Sequence, residues 1–176
     1  MSHAPETIAM WLERILGHEG SFTNDPTDPG NWTTGIIGQG LLKGTKWGIA
    51  ANTYEHLDIV NLTVEDAVQI FIDDFLKPIK VDQLRDGVAF QMLDFAINSG
   101  PRRAKRELQQ AIGVKSDGFI GPVTLAALRA RDESDLVILL IAERLDFMSR
   151  LSNWPRHGRG WVRRMATNLR YAAEDT

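Results

Sequence analysis

The chain of 176 residues contains no cysteine and only four histidines. The absence of cysteine excludes a disulfide framework, thiol catalysis and zinc sites with cysteine ligands. The histidines, which are His3, His18, His56 and His157, are scattered and form no pair with the spacing of metal ligands. We therefore expect no metal site and no cofactor.

Long apolar runs are also missing. The longest, Leu136–Ala142, has seven residues, whereas a membrane-spanning helix needs about 20. Near the start of the chain, Glu6, Glu13 and Arg14 interrupt the apolar pattern, although a secretory signal needs a basic head and an uninterrupted apolar stretch. The sequence therefore predicts a protein made in the cytoplasm without a signal peptide.

The composition is that of a globular protein, with 43% hydrophobic and 24% charged residues. The net charge of −3 is unevenly distributed. Residues 1–100 hold 14 acidic and 6 basic residues, and residues 101–176 hold 9 acidic and 14 basic residues. A nucleic-acid-coating protein would be basic throughout, so we expect no nucleic-acid partner, and we expect a monomer.

Apolar residues recur at helical spacing along most of the chain. Helices are predicted at 7–17, 63–76, 88–98, 102–112, from 122, at 134–151 and around 161–169. Residues 20–48 differ, because they contain seven glycines and two prolines, which favour turns and short strands. The sequence therefore predicts a mainly α (α+β) fold with a small β-rich region near its start.

Three carboxylates lie close together in the sequence at the beginning of this glycine-rich region: Glu19, Asp25 and Asp28. Hydrolysis of a glycosidic bond needs one carboxylic acid to protonate the leaving oxygen, and a second group for the cation-like transition state or the attacking water. Glu19 follows a predicted helix, whose partly negative C-terminal end disfavours ionisation, as a general acid requires. Asp25 and Asp28 each precede a proline, so turn formation is the alternative for either.

The surrounding motifs resemble those of glycoside hydrolase family 108, the lysozyme-like muramidases found among phage endolysins. They are Glu19–Phe22, Asn24–Gly30, Thr45–Ile49, Phe95–Pro101 and Asp117–Thr124. The last motif resembles the peptidoglycan-binding segment predicted in these proteins. Its Asp-Gly and Gly-Pro pairs favour a turn and a helix start, so a scaffold role is expected ahead of wall binding.

The resemblance implies a lysozyme-like fold in which a small β-bearing N-terminal lobe and a helical lobe flank a cleft. Residues 1–100 would be the catalytic region, with a β-rich insertion at 20–56. Residues 101–176 would be a helical peptidoglycan-binding-like region, packed as part of the same lysozyme-like domain.

The resemblance also implies roles for the site residues. Glu19 would be the general acid, Asp28 would position water or stabilise the developing positive charge, and Thr45 would hold the attacking water. Two departures from the family pattern are Ser21, in place of a glycine, and a longer segment before Thr45. Thr33 or Thr34 fits the catalytic threonine by distance from the loop, whereas Thr45 fits the motif.

The implied reaction is hydrolysis of the β-1,4 bond between N-acetylmuramic acid and N-acetylglucosamine by a phage or prophage endolysin. Such an enzyme would reach the periplasmic cell wall after holin-type release or another export route. Two alternatives are a lytic transglycosylase that cleaves the same bond and a non-catalytic wall-binding module.

Four further residues are candidates for binding substrate: Asp25, Trp47, Tyr54 and Asn98. The rings of Trp47 and Tyr54, and likewise that of Trp154, would stack on sugars, and the alternative for all three is a place in the core. Asn98 would hydrogen-bond acetamido groups, and its alternative is to cap the C-terminus of a helix.

The C-terminal region is strongly basic. Six arginines and no acidic residue lie between Phe147 and Ala173: Arg150, Arg156, Arg159, Arg163, Arg164 and Arg170. They would attract an anionic cell wall or lipid headgroups weakly. The alternative is the solvated face of a helix, on which Arg163, Arg164 and Arg170 would lie.

Overall fold

The computed structural model describes residues 3–16 and 22–175. It divides into two compact units. The N-terminal unit is Ala4–Ile72, and the C-terminal unit is Asp73–Thr176 together with Met1–His3. Within the described ranges, no helix combines the length and the apolar character needed to cross a membrane.

The N-terminal unit contains little regular structure. Its elements are α1 (Pro5–Leu16), β1 (Thr45–Lys46), β2 (Ile49–Ala50) and α2 (Val64–Phe71). The two strands form an antiparallel hairpin in which Lys46 pairs with Ile49. Both residues of the connecting turn have positive φ, 49° at Trp47 and 76° at Gly48. A two-residue hairpin with positive φ at both turn positions matches the right-handed twist of its strands.

Two lysines hold the irregular segment after this hairpin. The Nζ atom of Lys43 donates to the carbonyl of Glu55 at 2.6 Å. The Nζ atom of Lys46 donates to the carbonyls of Val60 at 3.0 Å and Leu62 at 2.8 Å. Side chains thus satisfy backbone carbonyls that no strand partner satisfies.

The predicted capping box at the start of α2 is confirmed. The hydroxyl of Thr63 accepts from the backbone N–H of Asp66 at 3.1 Å, and the Asp66 carboxylate accepts from the backbone N–H of Thr63 at 3.1 Å. The helix continues as a π-helical turn over Ile72–Leu76. It therefore ends at the predicted residue, with a change of helix type in its last part.

The C-terminal unit is helical, and its centre is the helix that the sequence predicted to be buried. The helices are α3 (Asp86–Ser99), α4 (Pro101–Ala111), α5 (Pro122–Arg129), α6 (Glu133–Ser149) and α7 (Trp154–Asp175). Every residue from Gly87 to Ala96 is buried, and α3 packs against α4, α6 and α7. Helix α7 begins earlier than predicted, and Pro155 occupies its first turn, where a missing N–H costs nothing.

A buried ion cluster joins three of these helices. Asp94 on α3 is 1% exposed and accepts hydrogen bonds from Arg144 on α6 and from Arg164 and Asn168 on α7. Arg144 is itself only 2% exposed. Burial alone would raise the pKa of Asp94, but the charges and hydrogen bonds of Arg144 and Arg164 together outweigh it and hold that pKa below its usual 3.8. Asp94 is therefore ionised at neutral pH.

The Asp117–Thr124 motif forms a compact turn around the buried side chain of Gln109. The amide nitrogen of Gln109 donates to Asp117 Oδ1 at 2.9 Å and to the carbonyl of Phe119 at 3.1 Å. Its amide oxygen accepts from the backbone N–H of Gly118 at 2.7 Å. The polar groups of the motif are thus engaged within the protein, as a scaffold role requires.

Candidate active site

Asp25 and Asp28 both stabilise turns in the loop before the hairpin. Asp25 Oδ1 accepts from the backbone N–H of Thr27 at 2.9 Å and from its hydroxyl at 2.8 Å. These bonds, that of the backbone first, lower the pKa of Asp25 from 3.8, so this exposed carboxylate is unsuited to act as a general acid. Asp28 Oδ1 accepts from the backbone N–H of Gly30 at 2.8 Å and caps the 3₁₀ turn Pro29–Asn31.

The exposed carboxylate of Asp28 is therefore held in a defined orientation. Its bond to Gly30 engages Oδ1, and the residue as a whole is exposed. Fixed geometry is what a group needs if it is to position a water molecule for attack. The turn role and a catalytic role are thus compatible for Asp28.

The fully buried side chain of Asn31 connects this loop to the hairpin. Its amide nitrogen donates to the carbonyl of Asp25 at 3.0 Å, and its amide oxygen accepts from the hydroxyl of Thr45 at 2.7 Å. Its backbone carbonyl accepts from the N–H groups of Lys43 at 3.0 Å and Gly44 at 3.1 Å. Sequence reasoning missed Asn31, because its partner Thr45 lies 14 residues away and the pair leaves no local pattern.

Thr45 is positioned by both backbone and side chain. Its backbone forms a bridge with Thr23, with N–H to carbonyl distances of 2.8 and 2.9 Å. Because its hydroxyl proton points to Asn31, the lone pairs of that oxygen remain as acceptors for a hydrogen of a bound water.

Thr33 and Thr34, the alternatives to Thr45, use their hydroxyls inside the preceding loop. Thr33 Oγ1 accepts from the backbone N–H of Leu41 at 3.0 Å, and Thr34 Oγ1 donates to the carbonyl of Gln39 at 2.8 Å. A bridge between Trp32 and Leu42 closes this loop. Both hydroxyls therefore contribute to the loop structure, as the Thr45 hydroxyl contributes through Asn31, and the choice of Thr45 stays a prediction from the motif.

The candidate binding residues lie in different settings. Trp47 is half-buried at the tip of the hairpin, with Lys46 Nζ 4.5 Å from its ring centroid. Tyr54 is also half-buried. Asn98 is exposed, and its amide nitrogen donates to the carbonyl of Asp94 at 2.6 Å within the same helix. The alternative prediction, that Asn98 caps the C-terminus of this helix, is wrong, because Gly100 occupies the C-cap position with a φ of 84°.

The structure brings part of the predicted site together. Asn31 contacts the backbone carbonyls of Asp25 and Asp28 and the hydroxyl of Thr45, and so links these three residues within the N-terminal unit. Glu19 lies outside the described residues, so its role as general acid stays a prediction. Among the residues that the structure describes, no three histidines, aspartates or glutamates are grouped to hold a metal ion.

Two of the six C-terminal arginines are neutralised by carboxylates. Arg150 pairs with Asp146 at 2.6 Å, and Arg164 binds the buried Asp94. The expectation that Arg164 lies on a solvated face is therefore wrong. The exposed arginines of α7 are Arg156, Arg159, Arg163 and Arg170.

Comparison with known proteins identifies the family. The model of the glycosyl hydrolase 108 family matches residues 12–100, and that of the predicted peptidoglycan domain matches residues 103–166. The solved structure of Brucella abortus SagA is similar, with 30% sequence identity and a TM-score of 0.78 over 98% of this chain and 97% of SagA. A search of curated proteins found no match. The chain has a mainly α, lysozyme-like fold and belongs to the glycosyl hydrolase 108 family, whose members are glycoside hydrolases of cell-wall peptidoglycan.

Proposed function

We propose that this protein is an N-acetylmuramidase, a lysozyme that hydrolyses the β-1,4 bond between N-acetylmuramic acid and N-acetylglucosamine. The observation that carries the proposal is the match to the glycosyl hydrolase 108 family over residues 12–100, which include the loop and hairpin described above. The fixed orientation of Asp28 and the acceptor geometry of Thr45 support it.

In this mechanism Glu19 donates its proton to the glycosidic oxygen as the bond to the sugar breaks. Asp28 stabilises the positive charge that develops on the sugar, or accepts a hydrogen bond from the attacking water. Thr45 accepts a second hydrogen from that water, because its own proton is directed to Asn31. The water oxygen bonds to the anomeric carbon, and the proton that it releases returns through solvent to the Glu19 carboxylate, so that the protein regains its starting state.

The protein would work as a phage or prophage endolysin. In this proposal it is made in the cytoplasm and reaches the periplasmic wall through a holin or another export route. The match of residues 103–166 to the predicted peptidoglycan domain supports peptidoglycan as its partner. In this proposal it acts as a monomer.

Digestion of purified peptidoglycan sacculi tests the reaction. We expect the wild-type protein to reduce their turbidity and to release fragments with reducing muramic ends, which mass spectrometry identifies. Fragments with anhydro-muramic ends would instead establish the transglycosylase alternative. Intact sacculi would leave only the wall-binding alternative.

Three single variants test the assigned roles in the same assay. We expect Glu19→Gln to abolish activity while sacculus binding persists, because the proton donor is lost. Asp28→Asn and Thr45→Val should each lower turnover by about 100-fold or more, as losses of well-placed catalytic groups do. Asp58→Asn, at an exposed carboxylate of the same unit, is the matched control and should retain activity. Full activity in Thr45→Val together with loss in Thr33→Val or Thr34→Val would reassign the threonine.

A further inference from the structure

A surface groove of about 410 Å³ runs along one side of α7. It is lined by Trp154, Pro155, Gly158, Arg159, Val162 and Arg163. All of these residues belong to the C-terminal unit and to the segment matched by the predicted peptidoglycan domain. We call it the α7 groove. No role in the reaction proposed above involves it.

The aromatic side of the α7 groove depends on Gly158. A Cβ atom at this position would come within 2.8 Å of Trp154 Cδ2 and Cε2, so only glycine lets the indole lie flat against the helix. Glycine is a poor helix former, but at position 158 it permits this close approach of the indole. Trp161 supports the indole at a centroid distance of 5.9 Å and stacks on His157 at 5.8 Å.

The other side of the α7 groove is cationic. Arg159 and Arg163 are one helical turn apart, so they lie on the same face. Arg156 and Arg170 fall on the same stripe by helical spacing, and all four side chains are exposed. No acidic residue lies between Phe147 and Ala173. An extended anionic ligand on this face would therefore meet several guanidinium groups, which bind carboxylates in paired hydrogen bonds.

We propose that the α7 groove binds the glycan chain of peptidoglycan through residues that take no part in the reaction proposed above. The indole of Trp154 contacts the apolar face of a sugar ring, and Arg159 and Arg163 bind carboxylates on the lactyl group or stem peptide of muramic acid. The inference rests on the proposed function only in taking peptidoglycan as the ligand. A membrane is a less suitable ligand than peptidoglycan. A helix that lies on a membrane presents a broad apolar face, whereas the large aliphatic side chains that α7 exposes are those of Val162 and Leu169.

Co-sedimentation with purified sacculi tests the site without requiring activity. The full chain carries Glu19→Gln in every sample, so that the sacculi remain intact. We expect Gly158→Ala to weaken binding by about tenfold, because the new methyl group displaces the indole. Gly160→Ala is the matched control, since a Cβ there meets nothing within 4 Å, and its binding should equal that of the parent.

A double variant, Arg159→Gln with Arg163→Gln, tests the cationic side of the α7 groove. We expect this pair to weaken binding by about tenfold and to flatten its dependence on salt. The control removes two exposed arginines of α4, with Arg102→Gln and Arg106→Gln, and should bind normally. Chitin, which has the same linkage but no carboxylates, should bind the parent much less than sacculi do. Circular dichroism establishes that each variant keeps its helical content.

Two results would overturn the inference. One is sacculus binding by the Gly158 and arginine variants that equals the binding of their controls. The other is binding of the parent to phosphatidylglycerol vesicles that these variants lose while their sacculus binding stays intact. Turnover of a short soluble glycan oligomer, measured with Glu19 restored, reports separately on the proposed muramidase. It should be equal in parent and groove variants, and its absence in the parent would refute the proposed function alone.

Discussion

The N-terminal unit and the C-terminal unit are stabilised by interactions of different kinds. In the N-terminal unit, side chains bond to backbone groups between 2 and 16 positions away and so define the loops, as at Asp25, Asp28 and Lys46. In the C-terminal unit, helices distant in sequence pack on α3, and Asp94 is bound by residues 50 and 70 positions away. One unit is therefore organised locally, and the other through its buried interior.

This difference matches the tasks proposed for the two units. A catalytic loop needs polar groups at its surface, and these cannot be secured by burial, so hydrogen bonds within the loop take over that function. The boundary between the two family models, at residues 100–103, falls inside the C-terminal unit. Helix α3 therefore belongs to the glycosyl hydrolase model by sequence and packs with the helices of the peptidoglycan domain.

Replacement of Asp94 should break the C-terminal unit most severely. Asp94→Asn leaves Arg144 buried without its counter-ion, and removing one partner of a buried pair costs about 3–5 kcal/mol. We expect urea denaturation to show a loss of this size. Asp146→Asn, which removes an exposed partner of Arg150 on the same helix as Arg144, is the control and should change stability little. Equal effects from both variants would show that the buried cluster does not stabilise the unit.

Replacement of Asn31 tests the N-terminal unit. Asn31→Ala removes the partner of the Thr45 hydroxyl and of the Asp25 carbonyl, and a buried polar group left unsatisfied costs about 1–3 kcal/mol. We expect turnover on sacculi to fall further than this stability loss accounts for, because Thr45 is no longer oriented. Asn61→Ala, at an exposed asparagine of the same unit, provides the comparison. Unchanged turnover in a folded Asn31→Ala protein would refute the positioning role.

Acid should weaken the C-terminal unit through the same aspartate. The folded pKa of Asp94 lies below its usual 3.8, so the unfolded chain takes up a proton first as the pH falls. The stabilisation is then complete above about pH 4 and is lost as the pH falls through the folded pKa. Each unit between the two pKa values corresponds to about 1.4 kcal/mol. Urea denaturation between pH 7 and pH 3 measures this loss, and Asp94→Asn should show a much flatter profile.

The sequence predicted helices and helix starts, which depend on residues close together in the chain. It missed side-chain contacts between residues that are distant in the chain. Apolar residues throughout 88–98 identified the buried helix α3, and Thr63 with Asp66 identified the start of α2. The bond from Asn31 to Thr45 spans 14 residues, and Arg164 reaches Asp94 across 70. Neither contact leaves a periodic pattern. An arginine beside apolar residues is the same in sequence whether it faces solvent or a buried carboxylate.

The smallest expected effect is on the cap of α2, where a single local hydrogen bond contributes little to the free energy of unfolding. Thr63→Ala removes the hydroxyl that accepts from the backbone N–H of Asp66, and the loss of such a cap costs about 1 kcal/mol. Hydrogen exchange should quicken in the first turn of α2, while amides of α3 stay as protected as in the parent. Thr63→Ser keeps the hydroxyl and should restore the protection. If instead the amides of α3 also exchanged faster, the two units would share one cooperative transition, and the distinction between local and buried stabilisation would not extend to their unfolding.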